Sequence, residues 1–77
     1  MIPIEILLAY CRADEDAKEA VSDAAQDAES FLSGMGADPD SPVYNKTLKA
    51  LTLHFFDHPA GGEFSPALQR MVNTLKS

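Results

Sequence analysis

Two histidines four residues apart carry the most recognisable chemistry of this 77-residue chain. His54, Asp57 and His58 form an H-x-x-D-H group, and on a helix the two imidazoles lie one turn apart, so they could share a metal ion. A zinc site needs a third or fourth ligand, and the only thiol, Cys11, lies in a pattern typical of a buried helix face. We favour ordinary histidines at a helix end over metal ligands, and expect no metal and no other cofactor.

Cys11 with either histidine could in principle act as a nucleophile and its base. No oxyanion-hole loop accompanies the pair, and so short a chain offers little room for a substrate pocket. The segments Gly34-Met35-Gly36 and Gly61-Gly62 lack the Lys and Ser/Thr of a phosphate-binding loop, and we interpret them as turns. We therefore expect no catalytic residues and no enzymatic activity.

The elements that would position these residues are predicted to be helices. Pro3 suits the first turn of a helix, Asp14 offers a side-chain cap, and Gly34 offers a left-handed stop. Ser41-Pro42 and Ser65-Pro66 each pair a capping residue with a first helical proline. No stretch alternates apolar and polar residues as a strand does. The sequence predicts one all-α domain over residues 1–77, a small bundle with helices at about 3–11, 14–33, 42–58 and 66–76.

The apolar residues of the second predicted helix lie within an arc of about 140°. We expect them to form one buried face, and because most are alanine, another helix can approach closely. The members of this face are Ala17, Ala20, Val21, Ala24, Ala25, Ala28, Phe31 and Leu32.

The third predicted helix is apolar on two sides. One stripe contains Tyr44, Leu48, Leu51 and Phe55. Leu53 and Phe56 lie more than about 100° away from that stripe, on the side that carries Lys46 and Lys49. The second side is either covered by another helix of the chain or left for a partner.

Charge is unevenly distributed along the chain. Residues 1–40 hold ten carboxylates against two cations, for a charge of −8, and residues 41–77 hold four cations against two carboxylates, for +2, which gives the total of −6. A chain of this balance cannot form a large basic face, so sequence-specific nucleic-acid binding is disfavoured. The sequence also lacks an apolar run near 18 residues and a basic leader, so we expect a cytoplasmic protein without membrane attachment.

Four carboxylates form a row along one flank of the second helix, each one turn from the next: Asp16, Glu19, Asp23 and Asp27. Like charges at this spacing cost a few tenths of a kcal/mol each. The row is either a solvated face that keeps the protein soluble, a surface that meets Lys46 and Lys49 of a neighbouring copy, or the lining of an acidic channel.

Several features follow one another in a recognisable order. The first helix ends in the run Leu8-Ala9-Tyr10-Cys11-Arg12-Ala13-Asp14, and the alanine-rich second helix closes on Phe31-Leu32 and Gly34. A third helix with the aromatic pair Phe55-Phe56 and a proline-initiated amphipathic helix, Pro66 to Leu75, complete the chain. In this order the sequence resembles the small head-tail connector (adaptor) proteins of tailed bacteriophages, which sit beneath the portal. The loop after the second helix is shorter here than is usual in that family.

The resemblance implies a structural virion-assembly protein of a phage or prophage. Its partners would be copies of itself in a ring, the portal protein and a tail-side connector protein; it would be found in the virion, and in the bacterial cytoplasm during assembly. A ring needs two different faces in contact, and the candidate interface residues are Asp16, Glu19, Asp23, Asp27, Lys46, Lys49, Leu53 and Phe56. The alternative is a cytoplasmic helical interaction module, without catalytic activity, that binds one partner through the third helix.

Overall fold

The structure, a computed structural model, describes residues 2–58 and 62–75. Over those residues the chain forms four α-helices and no strand, which confirms the all-α class. The helices are α1 (Ile4–Cys11), α2 (Lys18–Gly34), α3 (Tyr44–Asp57) and α4 (Pro66–Leu75). Pro59, Gly61 and Lys76, which the sequence placed at a helix stop, in a turn and at the end of the fourth helix, lie outside the described residues.

Two helix starts differ from the sequence prediction because turns precede them. Residues Glu15–Ala17 form a separate 3-10 turn, and Asp14 makes no side-chain capping bond, so α2 begins at Lys18. Ser41 closes a turn instead of capping a helix: its Oγ accepts from the Val43 N–H at 3.3 Å, and its carbonyl accepts from the Tyr44 N–H at 3.0 Å. The prediction at Ser65 is confirmed, since its Oγ accepts the Leu68 N–H at 3.2 Å.

The ends of α1 and α2 depend on left-handed residues. Gly34 was predicted as the left-handed stop of the second helix, but it is the last residue of α2, and Gly36 adopts the positive φ of 75°. The stop moves because the Ala37 N–H bonds the Leu32 carbonyl at 3.0 Å, which closes the helix end around Gly36. At the end of α1, Arg12 takes a φ of 54°, a conformation that costs a non-glycine residue about 1 kcal/mol.

Helix α3 is the centre of the bundle and packs against each of the other three helices. Its Leu48 and Leu51 are almost completely buried, together with Val21 and Leu32 of α2. The two ends of the chain complete this core with buried side chains from α1 and α4, which are Leu7, Cys11, Leu68, Val72 and Leu75.

The buried face of α2 is narrower than predicted. Ala20 and Phe31 are exposed, whereas the centre of the arc is buried. The two residues lie at one edge of the arc, where α3 covers them only in part: Ala20 borders a groove with Phe55 and Phe56 of α3. Phe31 packs edge to face on Phe55 and on Phe64, with ring centroids 6.3 Å and 5.5 Å away.

The buried face of α3 is wider than predicted and includes two threonines. Thr47 and Thr52 are fully enclosed, although neither belongs to the apolar stripe. The Thr52 hydroxyl donates to the Leu48 carbonyl at 2.7 Å, whereas the Thr47 hydroxyl has no hydrogen-bond partner among the described residues. Because three helices pack against α3, even some positions that carry polar side chains are enclosed.

Candidate functional site

The carboxylate row borders an apolar groove between α2 and α3. All four members of the row are exposed; Asp16 lies in the 3-10 turn and the others on α2. Asp23 and Asp27 line a groove of about 270 Å³ together with two alanines of α2 and the aromatic pair of α3, which are Ala20, Ala24, Phe55 and Phe56. We call this groove the acidic groove. Its small, apolar lining and charged rim would suit an apolar side chain next to a cation.

A second surface joins α1 to the outer side of α3. Tyr10 is 42% exposed, and the Lys49 ammonium lies 5.6 Å from the centre of its ring. Such a cation–π contact contributes about 0.5–1 kcal/mol at an exposed site. Leu53 is half-buried and lines a groove of about 310 Å³ with Tyr10. We call Tyr10, Lys49 and Leu53 the tyrosine-lysine surface; Lys46 is exposed on the same helix.

The structure separates two residues that the sequence grouped together. Phe56 lies toward α2 and borders the carboxylate row, whereas Leu53 lies toward α1 and α4. Both side chains are half-buried against the core, so the second apolar side of α3 is covered only in part by its own chain. The candidate residues therefore form two surfaces, one on each side of the exposed strip of α3.

Sequence reasoning missed the contribution of α1 to these surfaces. Ile6 and Tyr10 are the most exposed large apolar side chains of the described residues, at 48% and 42%. They lie four residues apart, hence on one face of α1, away from the buried Leu7 and Cys11. The sequence did contain a signal for this surface: Ile6 and Tyr10 place two large apolar side chains on a second face of a short helix.

The histidines lie in an aromatic cluster beneath α4. The His54 ring is 5.2 Å from the His58 ring and makes a T-shaped contact with the Phe64 ring at 4.8 Å, measured between ring centres. The Nε2 atom of His54 is buried without a hydrogen-bond partner in the described chain. Within residues 2–58 and 62–75, no group of three His, Cys, Asp or Glu side chains is placed to hold a metal ion. His54 therefore packs against neighbouring rings at the end of α3.

The thiol of Cys11 is held in its protonated form. Burial, and to a smaller extent the negative charge of Asp57, raises the pKa of Cys11 above its ordinary value of 9.0. The thiolate is the form that attacks a substrate or binds a metal, and both causes disfavour it.

Comparisons with family models, with curated proteins and with solved structures give no match to this chain. None of the helices in the described part of the chain has the length and apolar character needed to cross a membrane.

Proposed function

We propose that this protein is a structural subunit that assembles with copies of itself into a ring, as the head-tail connector proteins that its sequence resembles do. In this proposal the acidic groove of one copy receives the tyrosine-lysine surface of the next. The observation that carries the proposal is the presence of these two complementary surfaces on different sides of α3.

Chemical complementarity supports this pairing. The acidic groove offers two carboxylates beside Phe56 and two alanines. The tyrosine-lysine surface offers an ammonium group beside an exposed aromatic ring and a half-buried leucine. Placed together, they bury apolar area and set opposite charges against each other, and the charges favour this orientation over wrong ones.

Geometry supports a ring over a closed pair. The two surfaces differ, so each copy uses one toward each neighbour, and a head-to-tail contact of this kind closes into a ring when the rotation between copies allows it. The rest of the acidic row, at Asp16 and Glu19, would then be free to face a central passage. An acidic passage repels phosphates and lets DNA slide instead of holding it.

Charge reversal on each surface tests the pairing. The acid-reversed variant carries Asp23→Lys with Asp27→Lys, the two carboxylates of the acidic groove, and the lysine-reversed variant carries Lys46→Glu with Lys49→Glu. Each variant alone should stay smaller than the wild-type assembly in size-exclusion chromatography with light scattering, because both of its surfaces then have the same sign. An equimolar mixture should recover the assembly, since copies can alternate around the ring.

The matched control reverses two exposed carboxylates away from the row, Asp40→Lys with Glu63→Lys, and should assemble as the wild type does. Circular dichroism checks that all variants keep their helices. A wild-type chain that remains a monomer at about 1 mM, or an acid-reversed variant that assembles normally, would contradict the proposal.

A further inference from the structure

A second groove of the molecule lies on the opposite flank of α2 and takes no part in the proposed ring contact. It has a volume of about 410 Å³ and runs between the start of α1 and the middle of α2. The α2 residues along it recur at i, i+3, i+4 and i+7, so one continuous helix face forms the wall. The lining residues are Ile2, Pro3, Ile4, Leu7, Ser22, Ala25, Gln26 and Glu29. We call it the α1/α2 groove.

This groove has an apolar floor and continues into an acidic depression. Ile2, Leu7 and Ala25 are buried at its floor, and Ile4 is half-buried. Ile4 and Ser22 also line an adjoining depression that contains four carboxylates and one lysine, at Glu15, Asp16, Glu19, Asp23 and Lys18. With Glu29, five carboxylates face one cation along the combined trough.

The length and charge of the trough define what fits it. From residue 15 to residue 29 the wall spans about 20 Å at 1.5 Å per helical residue, the length of a helix of about 14 residues. Grooves between two helices accept the apolar face of a third, amphipathic helix. The carboxylates favour lysine or arginine beside that face, and a second copy with a net charge of −6 is the less favourable occupant.

We infer that the α1/α2 groove binds a basic amphipathic helix of a different protein, with aliphatic side chains on the floor and its cations against the carboxylate rim. This inference does not depend on the ring; a bound helix would cover Asp16 and Glu19, so helix binding and an acidic passage are alternative uses of these two carboxylates. Asp23 is the one carboxylate that borders both this trough and the acidic groove.

A synthetic peptide tests the inference directly. The probe is a fluorescent helix of about 14 residues with leucine at i, i+4, i+7 and i+11 and lysine on both flanks; the control peptide carries glutamate in place of lysine. Fluorescence anisotropy should detect binding of the lysine peptide, weakening as salt is added, and no binding of the glutamate peptide.

Two variants of equal charge locate the site. Ser22→Lys with Gln26→Lys places two cations in the groove, and Asn45→Lys with Asn73→Lys adds the same charge at exposed positions of α3 and α4. The first pair should weaken peptide binding by about tenfold or more, and the second by less than about threefold.

Four outcomes would overturn the inference. The two variants could weaken peptide binding equally, or the two peptides could bind equally well. The lysine peptide could fail to bind at about 1 mM, or the Ser22→Lys, Gln26→Lys variant could fail to self-associate as the wild type does. The last outcome would assign the groove to a second copy. Circular dichroism of both variants separates a lost site from a lost fold.

Discussion

The two enclosed threonines of α3 provide a matched test of what a buried hydroxyl costs with and without a hydrogen-bond partner. Thr47 and Thr52 are both 0% exposed, yet only the Thr52 hydroxyl has a hydrogen-bond partner among the described residues. Replacing a threonine with valine exchanges the hydroxyl for a methyl group of similar size and leaves the helix propensity nearly unchanged. The change in unfolding free energy on substitution therefore measures how much the buried hydroxyl stabilises or destabilises the folded protein.

The expected effects differ in size and direction. A buried hydroxyl without a partner costs about 1–3 kcal/mol, so Thr47→Val should stabilise the protein by about 1–2 kcal/mol. In Thr52→Val, a hydrogen bond of about 1 kcal/mol net is lost and a buried methyl group of about 0.8 kcal/mol is gained, so stability should change little. The Leu48 carbonyl keeps its backbone bond within the helix, so no new unsatisfied group appears.

Thermal and urea unfolding followed by circular dichroism measure the difference. For a domain of this size, Thr47→Val should raise Tm by about 5 °C or more, and Thr52→Val should leave it within about 3 °C. Thr74→Val is the exposed control, because its hydroxyl makes the same kind of bond, 2.9 Å to the Arg70 carbonyl, in contact with water. A Thr47→Val protein less stable than the wild type would refute the reasoning, since the hydroxyl must then be bonded in the folded state.

Two further predictions concern Cys11 and Arg12. Burial and Asp57 raise the pKa of Cys11 above 9.0, so its contribution to stability is complete below that pH and is lost as pH rises through the folded-state pKa. Wild-type Tm should therefore fall more steeply above pH 9.0 than that of Cys11→Ala, and parallel curves would exclude the effect. At the end of α1, Arg12→Gly should raise the unfolding free energy by about 0.5–1 kcal/mol in urea, because glycine adopts the φ of 54° without strain. Arg12→Ala retains the Cβ and should not stabilise the protein; equal effects of the two substitutions would rule out strain as the cause.

Much of the fold follows from local patterns. Apolar periodicity at 3.6 residues predicted four helices in the right places, and Ser65-Pro66 predicted the start of α4, because capping and periodicity involve residues only a few positions apart. The starts of the second and third helices were wrong, since the 3-10 turn at Glu15–Ala17 and the Ser41 turn use the same residue types as a helix cap.

The arrangement of the candidate surfaces required the tertiary structure. The sequence gives the angle at which each side chain leaves its helix, which separates the carboxylate row from the buried face of α2; in the structure all four carboxylates and Lys46 are exposed and Lys49 is half-buried. The sequence does not say which face of each helix is covered by which neighbouring helix. Packing of α2 against one side of α3 and of α1 and α4 against the other divided Phe56 from Leu53, enclosed Thr47 and Thr52, and left Tyr10 exposed under Lys49. These outcomes depend on contacts between residues far apart in the chain, which no local pattern encodes.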